Sequence, residues 1–244
     1  MDPTDLSKLD LPTFIAEEVG IDRVSTVMAQ SIPVNSSWWN ERLTHYGLGG
    51  GPVVARDAHG GAVTDGPGYI SRGDVFSLSA CDLSDADSVL RLLWHSLAWG
   101  AGSHLRLCDR RMEAVKLGGD AVVQGLIEAA ALSRSDALLA YRAVCPSTHR
   151  SLVKYMGPAF ATKFLYFAGG GRADHGCLIL DSVVANALRS KCGWTSLSTK
   201  GGWPEATYAR YCSLAERWAS DISGVIGRTV APDEIEFALF RSGT

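Results

Sequence analysis

From about residue 84 onward, apolar residues recur at helical spacing in one short segment after another, and glycine or proline punctuates nearly every break. Ser84-Asp85-Ala86-Asp87 is a capping-box-like start, and Val89, Leu90, Leu93, Trp94, Leu97 and Ala98 follow on one helical face until Gly100-Ala101-Gly102. Further helical patterns cover roughly 119–132, 134–144, 147–155, 159–168, 181–190, 204–220 and 232–241, separated by Gly118-Gly119, Cys145-Pro146, Met156-Gly157-Pro158, Gly169-Gly170-Gly171 and Gly201-Gly202. Many short helices with short connections specify a compact all-α domain, here residues 81–244. Residues 1–80 read differently, as a loop-rich N-terminal layer with helices expected at 10–18 and 36–46. Residues 47–73 are rich in glycine, and Val53-Val54 is their one strand-like fragment. Gly47-Leu48-Gly49-Gly50-Gly51 lacks the preceding strand and the Gly-Lys-Ser/Thr ending of a phosphate loop, so it reads as a plain surface loop.

The hydrophobic fraction of 46% is ample for a packed core. Without an apolar run of about 18 residues or an apolar stretch behind the acidic Met1-Asp2-Pro3-Thr4-Asp5, the expectation is a soluble, cytoplasmic protein that uses no membrane. Six cysteines (81, 108, 145, 177, 192 and 212) are scattered without a C-x-x-C pair. His104 and His149 each lie four residues from a cysteine, but neither has the second close pair a zinc site needs, so free thiols and no metal are expected. The net charge of −3 argues against a large basic surface. Arg106, Arg110, Arg111 and Lys116 fall in one segment and Lys154 and Lys163 in another; as charge runs they read first as solvated helix faces.

Chemistry concentrates in 152–188. Residues 152–167 read as helix, tight turn at Gly157-Pro158 and second helix; a glycine-rich break and the apolar stretch Cys177-Leu178-Ile179-Leu180 lead to Asp181, which opens the next helix. Taken singly, Asp181 is a good N-cap and Lys163 an ordinary lysine. Hairpin, lysine and capping aspartate 18 residues later form a far less common combination. An amine attacks only when neutral, and the reference lysine pKa is near ~10.4. Burial and a helix start both disfavour the ammonium, and a carboxylate nearby stabilises developing positive charge.

This arrangement is similar to the helix-hairpin-helix DNA glycosylases, and among them the 8-oxoguanine (OGG-like) glycosylases; Ala161-Thr162-Lys163 resembles their Gly-Thr-Lys. The resemblance implies that Lys163 attacks the sugar C1′ as nucleophile and that Asp181 assists. It implies a flipped, oxidised or modified guanine in double-stranded DNA, released with or without lyase cleavage of the strand. Near the C-terminus Pro232-Asp233-Glu234 opens a helix on which Glu236 and Phe240 stand four residues apart. The family carries a Gln and a Phe in a similar place, which implies a base held between Phe167 and Phe240 with Glu236 on its Watson–Crick edge. The hairpin backbone at Gly157, Ala159 and Ala161 would then grip a DNA phosphate, in the family often through a monovalent cation, with no other cofactor. The chain departs from the family in three places: Gly157 is followed by Pro158-Ala159-Phe160-Ala161 instead of a second bracketing glycine, Val183 stands where a DNA-contacting histidine is common, and Glu236 replaces glutamine. The β-rich N-terminal domain of the eukaryotic members has no counterpart recognised in residues 1–80. These departures resemble a divergent bacterial branch, some of whose members are associated with antiphage operons, so base-excision repair and defence both stay open. The alternative readings are a non-catalytic DNA-binding module on the same fold and an interaction subunit of a defence complex.

Overall fold

The computed structural model describes residues 4–19, 22–80, 82–148 and 150–243. The C-terminal helices follow the pattern of the sequence: α4 (Ala86–Ala101), α5 (Cys108–Ser133), α6 (Ala137–Val144), α7 (Pro158–Ala168), α8 (Ser182–Ser190), α9 (Glu205–Ile226) and α10 (Pro232–Gly243). Side-chain caps fix their starts. Asp85 accepts from Ser88 N, and Asp136 from Leu138 N and Leu139 N. Gly119, at φ 50° and ψ −141°, kinks α5. The segment 147–155 is not helical: Ser147 bridges Arg150, and Tyr155 sits at φ 68°. Its carbonyl accepts from the Arg111 side chain instead of from a helical amide, a long-range partner that local periodicity cannot reveal.

The N-terminal residues depart further from expectation, because the protein is not all-α. Helices α1 (Thr13–Glu18), α2 (Ser36–Tyr46) and α3 (Arg72–Leu78) are joined by a four-stranded antiparallel sheet. Its strands β1 (Ser31–Asn35), β2 (Ala55–Arg56), β3 (Ala62–Val63) and β4 (Pro67–Ser71) lie in the order β1-β4-β2-β3. Two of the strands are two residues long, too short for a period-two signal, and Pro33 lies in β1 at the sheet edge, where a missing N–H is tolerated. One continuous apolar core runs from Ile15 to Leu239 and joins the sheet to the helices.

The loop 47–51 is not a plain surface loop. It is clamped on α4: Trp94 Nε1 donates to Gly49 O at 2.8 Å, and Gly50 N donates to Asp87 Oδ1 at 3.0 Å. A Cβ at Gly50 would fall 2.5 Å from the Arg91 backbone nitrogen, so only glycine fits.

One turn along α4, buried His95 carries out the same docking with its ring. Val54 N donates to Nε2 at 3.0 Å, which leaves Nδ1 to carry the hydrogen that meets Arg91 O at 2.8 Å. Burial pushes the imidazole pKa down from 6.5 to about 4, only partly offset by the Arg91 carbonyl. The unfolded chain therefore binds the extra proton first. The stabilisation from neutral His95 is whole above pH 6.5 and is lost as pH falls to about 4, amounting to on the order of 3 kcal/mol. Thermal melts between pH 7.5 and 4.5 should show the wild type losing its advantage over His95→Gln as pH drops. Parallel curves for the two proteins would refute the assignment.

Candidate active site

Lys163 lies in the second turn of α7 and is 7% exposed. Its Nζ donates to Asp181 Oδ2 at 3.0 Å and lies 3.4 Å from Ala159 O and 5.8 Å from the Phe160 ring centroid. The aliphatic stem runs along α4 at Gly100, where a Cβ would come 2.7 Å from Lys163 Cδ and 3.1 Å from Phe160. A glycine inside a helix costs stability; here it opens the space through which the amine reaches Asp181.

Asp181 uses its two oxygens differently. Oδ1 accepts from Val183 N at 3.0 Å and Val184 N at 3.1 Å and caps α8, while Oδ2 faces Lys163. Burial works to raise the carboxyl pKa. The Lys163 charge and hydrogen bond, with the α8 amides, outweigh it and hold the group below the usual carboxylate range. The cap and the ion-pair partner are thus one residue.

The residues that place Asp181 are polar groups satisfying a buried, non-helical backbone. Residues 178–180 are nearly inaccessible, and their amides and carbonyls need partners. Tyr208 OH takes Leu178 N at 3.0 Å and gives to Leu178 O at 2.9 Å, and Tyr211 OH gives to Ile179 O at 2.9 Å. Thr162 Oγ1 accepts from Leu180 N at 3.1 Å and meets Leu180 O at 3.2 Å. Thr162 precedes the lysine as Leu180 precedes the aspartate, so this one hydroxyl registers α7 against the start of α8.

The structure brings Lys163 and Asp181 together, but it does not present the other expected residues to a ligand in the same way. Phe167 is fully buried, its ring packed edge-on against Phe76 and Trp99, both at 5.2 Å between centroids. Glu236 is also fully buried and faces Arg72, which donates to its two oxygens at 2.5 and 3.3 Å. Arg72 is 164 positions away in the chain and had no signature in the sequence. Phe240 is half-buried against the core. Val183 is half-buried at the first turn of α8.

At the hairpin, Gly157 O accepts from the amides of Phe160 and Ala161, and Ala161 is buried. Pro158 has no amide hydrogen, which leaves Ala159 N–H as the remaining donor at the start of α7. Sequence reasoning missed Gly100, Thr162, Tyr208, Tyr211 and Arg72. Only Thr162, next to the lysine, carried a local signal.

The five described cysteines are buried free thiols; Cys81 and His149 lie outside the described residues. Among the described residues no three His, Cys, Asp or Glu side chains group to hold a metal ion, and no helix is long and apolar enough to cross a membrane.

The family model described as "Putative 8-oxoguanine DNA glycosylase OGG-like protein" matches residues 25–240. The chain belongs to this family. Membership supports a DNA glycosylase-type activity with DNA as substrate. The match also takes in the sheet and α2, where residue-level resemblance had found no counterpart. No curated protein and no solved structure matches the chain.

Proposed function

We propose that the protein is a DNA glycosylase that releases an oxidised or modified guanine, such as 8-oxoguanine, with Lys163 as the nucleophile and Asp181 as its proton acceptor. The observation that carries this reading is the 3.0 Å contact between Lys163 Nζ and Asp181 Oδ2 in a largely buried setting, within a chain of the OGG-like family. Asp181 Oδ2 takes a proton from Nζ, and the freed lone pair attacks C1′ of an extruded nucleotide. The bond from C1′ to the base breaks, its electron pair leaves with the base, and the base takes up a proton. The sugar ring of the resulting aminal then opens to a lysine Schiff base. The proton taken up by the base is the one Asp181 took from Nζ: its lowered pKa makes Asp181 a ready donor to the departing base, and, ionised again, it faces the positive charge that develops on the sugar.

On this reading Ala159 N–H at the start of α7, next to Gly157, donates to a DNA phosphate, and any monovalent cation that bridges to the phosphate is held by hairpin carbonyl oxygens. Of Phe167 and Phe240, Phe240 is the one that is part exposed, and this reading gives it to the base. Phe167 and Glu236, both fully buried, act on this reading through the packing and charge of the core.

Borohydride trapping on duplex DNA containing 8-oxoguanine tests the chemistry. Wild type should give a covalent adduct and Lys163→Gln none. An adduct that persists in Lys163→Gln would remove Lys163 from its role, and neither adduct nor base release from wild type would sink 8-oxoguanine as the substrate.

A further inference from the structure

The two basic segments of the sequence converge beside the hairpin. Residues 106–116 carry a net charge of +2 and residues 150–163 one of +3, in a chain whose net charge is −3. Their meeting point is Tyr155. Its side chain belongs to one of the few large apolar residues left exposed, at 39%. The Lys154 ammonium lies 5.2 Å from its ring centroid and the Arg110 guanidinium 5.6 Å.

Tyr155 is also one of two non-glycine residues held at positive φ among the described residues, at 68°, a conformation unfavourable for an aromatic residue unless its surroundings enforce it. Buried Arg111 enforces it. Its Nε donates to Tyr155 O at 2.9 Å, and its guanidinium lies 3.8 Å from the centroid of the Phe160 ring. That ring borders Lys163. Contacts therefore run unbroken from the exposed tyrosine to the reactive amine.

A surface tyrosine with no task needs neither a strained backbone nor a buried arginine to hold it. The acids nearby do not neutralise the patch: on α5, Asp109 is occupied by Tyr46 OH at 2.9 Å and Arg42 at 3.5 Å, which leaves exposed Glu113. An exposed aromatic face stacks on any nucleobase, and cations beside it meet the flanking phosphates.

We infer that Tyr155 is a base-stacking residue of the DNA interface. It covers a base left without its neighbour when the target nucleotide is extruded, while Arg110 and Lys154 contact phosphates on either side. The location rests on the glycosylase reading above, but the stacking itself requires no chemistry at Lys163.

The test uses full-length protein carrying Lys163→Gln, so that binding is read without base release. The probe is a duplex with a tetrahydrofuran abasic site flanked by 2-aminopurine. Binding is followed by anisotropy and stacking by 2-aminopurine fluorescence. Tyr155→Gly removes the ring and at the same time relieves the positive φ, so the fold is retained. It should weaken binding by roughly 10- to 100-fold and abolish the fluorescence change, whereas Tyr155→Phe should behave as the parent. Arg110→Gln and Lys154→Gln should each lower the salt dependence of binding by about one unit of slope and leave the fluorescence change in place. Unchanged binding and fluorescence in Tyr155→Gly would overturn the stacking role and leave the glycosylase reading intact. A loss in Tyr155→Phe equal to that in Tyr155→Gly would overturn it too, by assigning the effect to the hydroxyl. A parent protein that binds no duplex would sink the glycosylase reading and the stacking role together.

Discussion

Asp181→Asn should slow base release by about 10²- to 10³-fold while leaving α8 capped. Asparagine is nearly as good an N-cap as aspartate, and its side-chain oxygen can still accept from Val183 N and Val184 N, the bonds now made by Oδ1. What it lacks is a basic oxygen to take the proton from Lys163 Nζ, which now sits 3.0 Å from Oδ2. It also lacks the negative charge that would face the sugar as the base departs. Asp181→Ala removes the cap as well and should cost about 1 kcal/mol more in stability. In a chain of this length that is a further fall in Tm of about 2–4 °C. Single-turnover base release from an 8-oxoguanine duplex, measured beside thermal melts, separates the two duties. The variants should match in rate and differ in Tm. Base release by Asp181→Asn within threefold of wild type would reduce Asp181 to a helix cap.

That Lys163 and Asp181 could be picked out in the sequence has a physical cause. Their partnership is encoded within a span of 18 residues, by a turn, a lysine and a capping aspartate. The α2 bounds and the α4, α7 and α8 patterns were readable for the same reason, since caps and apolar periodicity are local. The four-stranded sheet was not, because its strands are short and their partners lie up to about 40 residues apart, as in the Ser31–Ser71 pairing. Nor could the sequence show that Gly100, read as part of a helix stop, is a notch for the lysine stem. The expected helix at 147–155 failed where Arg111, 44 positions upstream, holds the Tyr155 carbonyl. The sequence said least about the setting of Glu236, which is buried against Arg72. An i, i+4 pair on a helix face says which residues share a direction, but not whether that direction meets solvent or an arginine from α3.

Removing that arginine should be the most damaging single change to the fold. Arg72 is fully buried and donates to Glu236, to Tyr166 OH at 3.0 Å and to Gln30 Oε1 at 2.6 Å, with the Trp99 and Tyr166 rings each 5.2 Å from its guanidinium carbon. The network continues from Tyr166 OH to Asp233 Oδ2 at 2.9 Å and from Asp233 to Arg23. It therefore ties α3, α7 and α10 together three residues beyond Lys163. Burial pushes the Glu236 carboxyl pKa up against the opposing pull of Arg72, the signature of a charge tolerable only while its partner remains. Arg72→Met leaves that charge unpaired in the core. The expected loss is about 3–5 kcal/mol, a fall in Tm on the order of 10 °C. Arg72→Met with Glu236→Leu removes both charges, and Tyr166 keeps Asp233 as its acceptor, so the double variant should regain most of the lost stability. A double variant as unstable as the single one would mean that packing of the Arg72 side chain, not charge pairing, stabilises this region. The double variant also decides the role of Glu236 in recognition. If Glu236 acts only within the core, the preference for a guanine-type base should survive below the Tm. Loss of that preference at full stability would return Glu236 to the base.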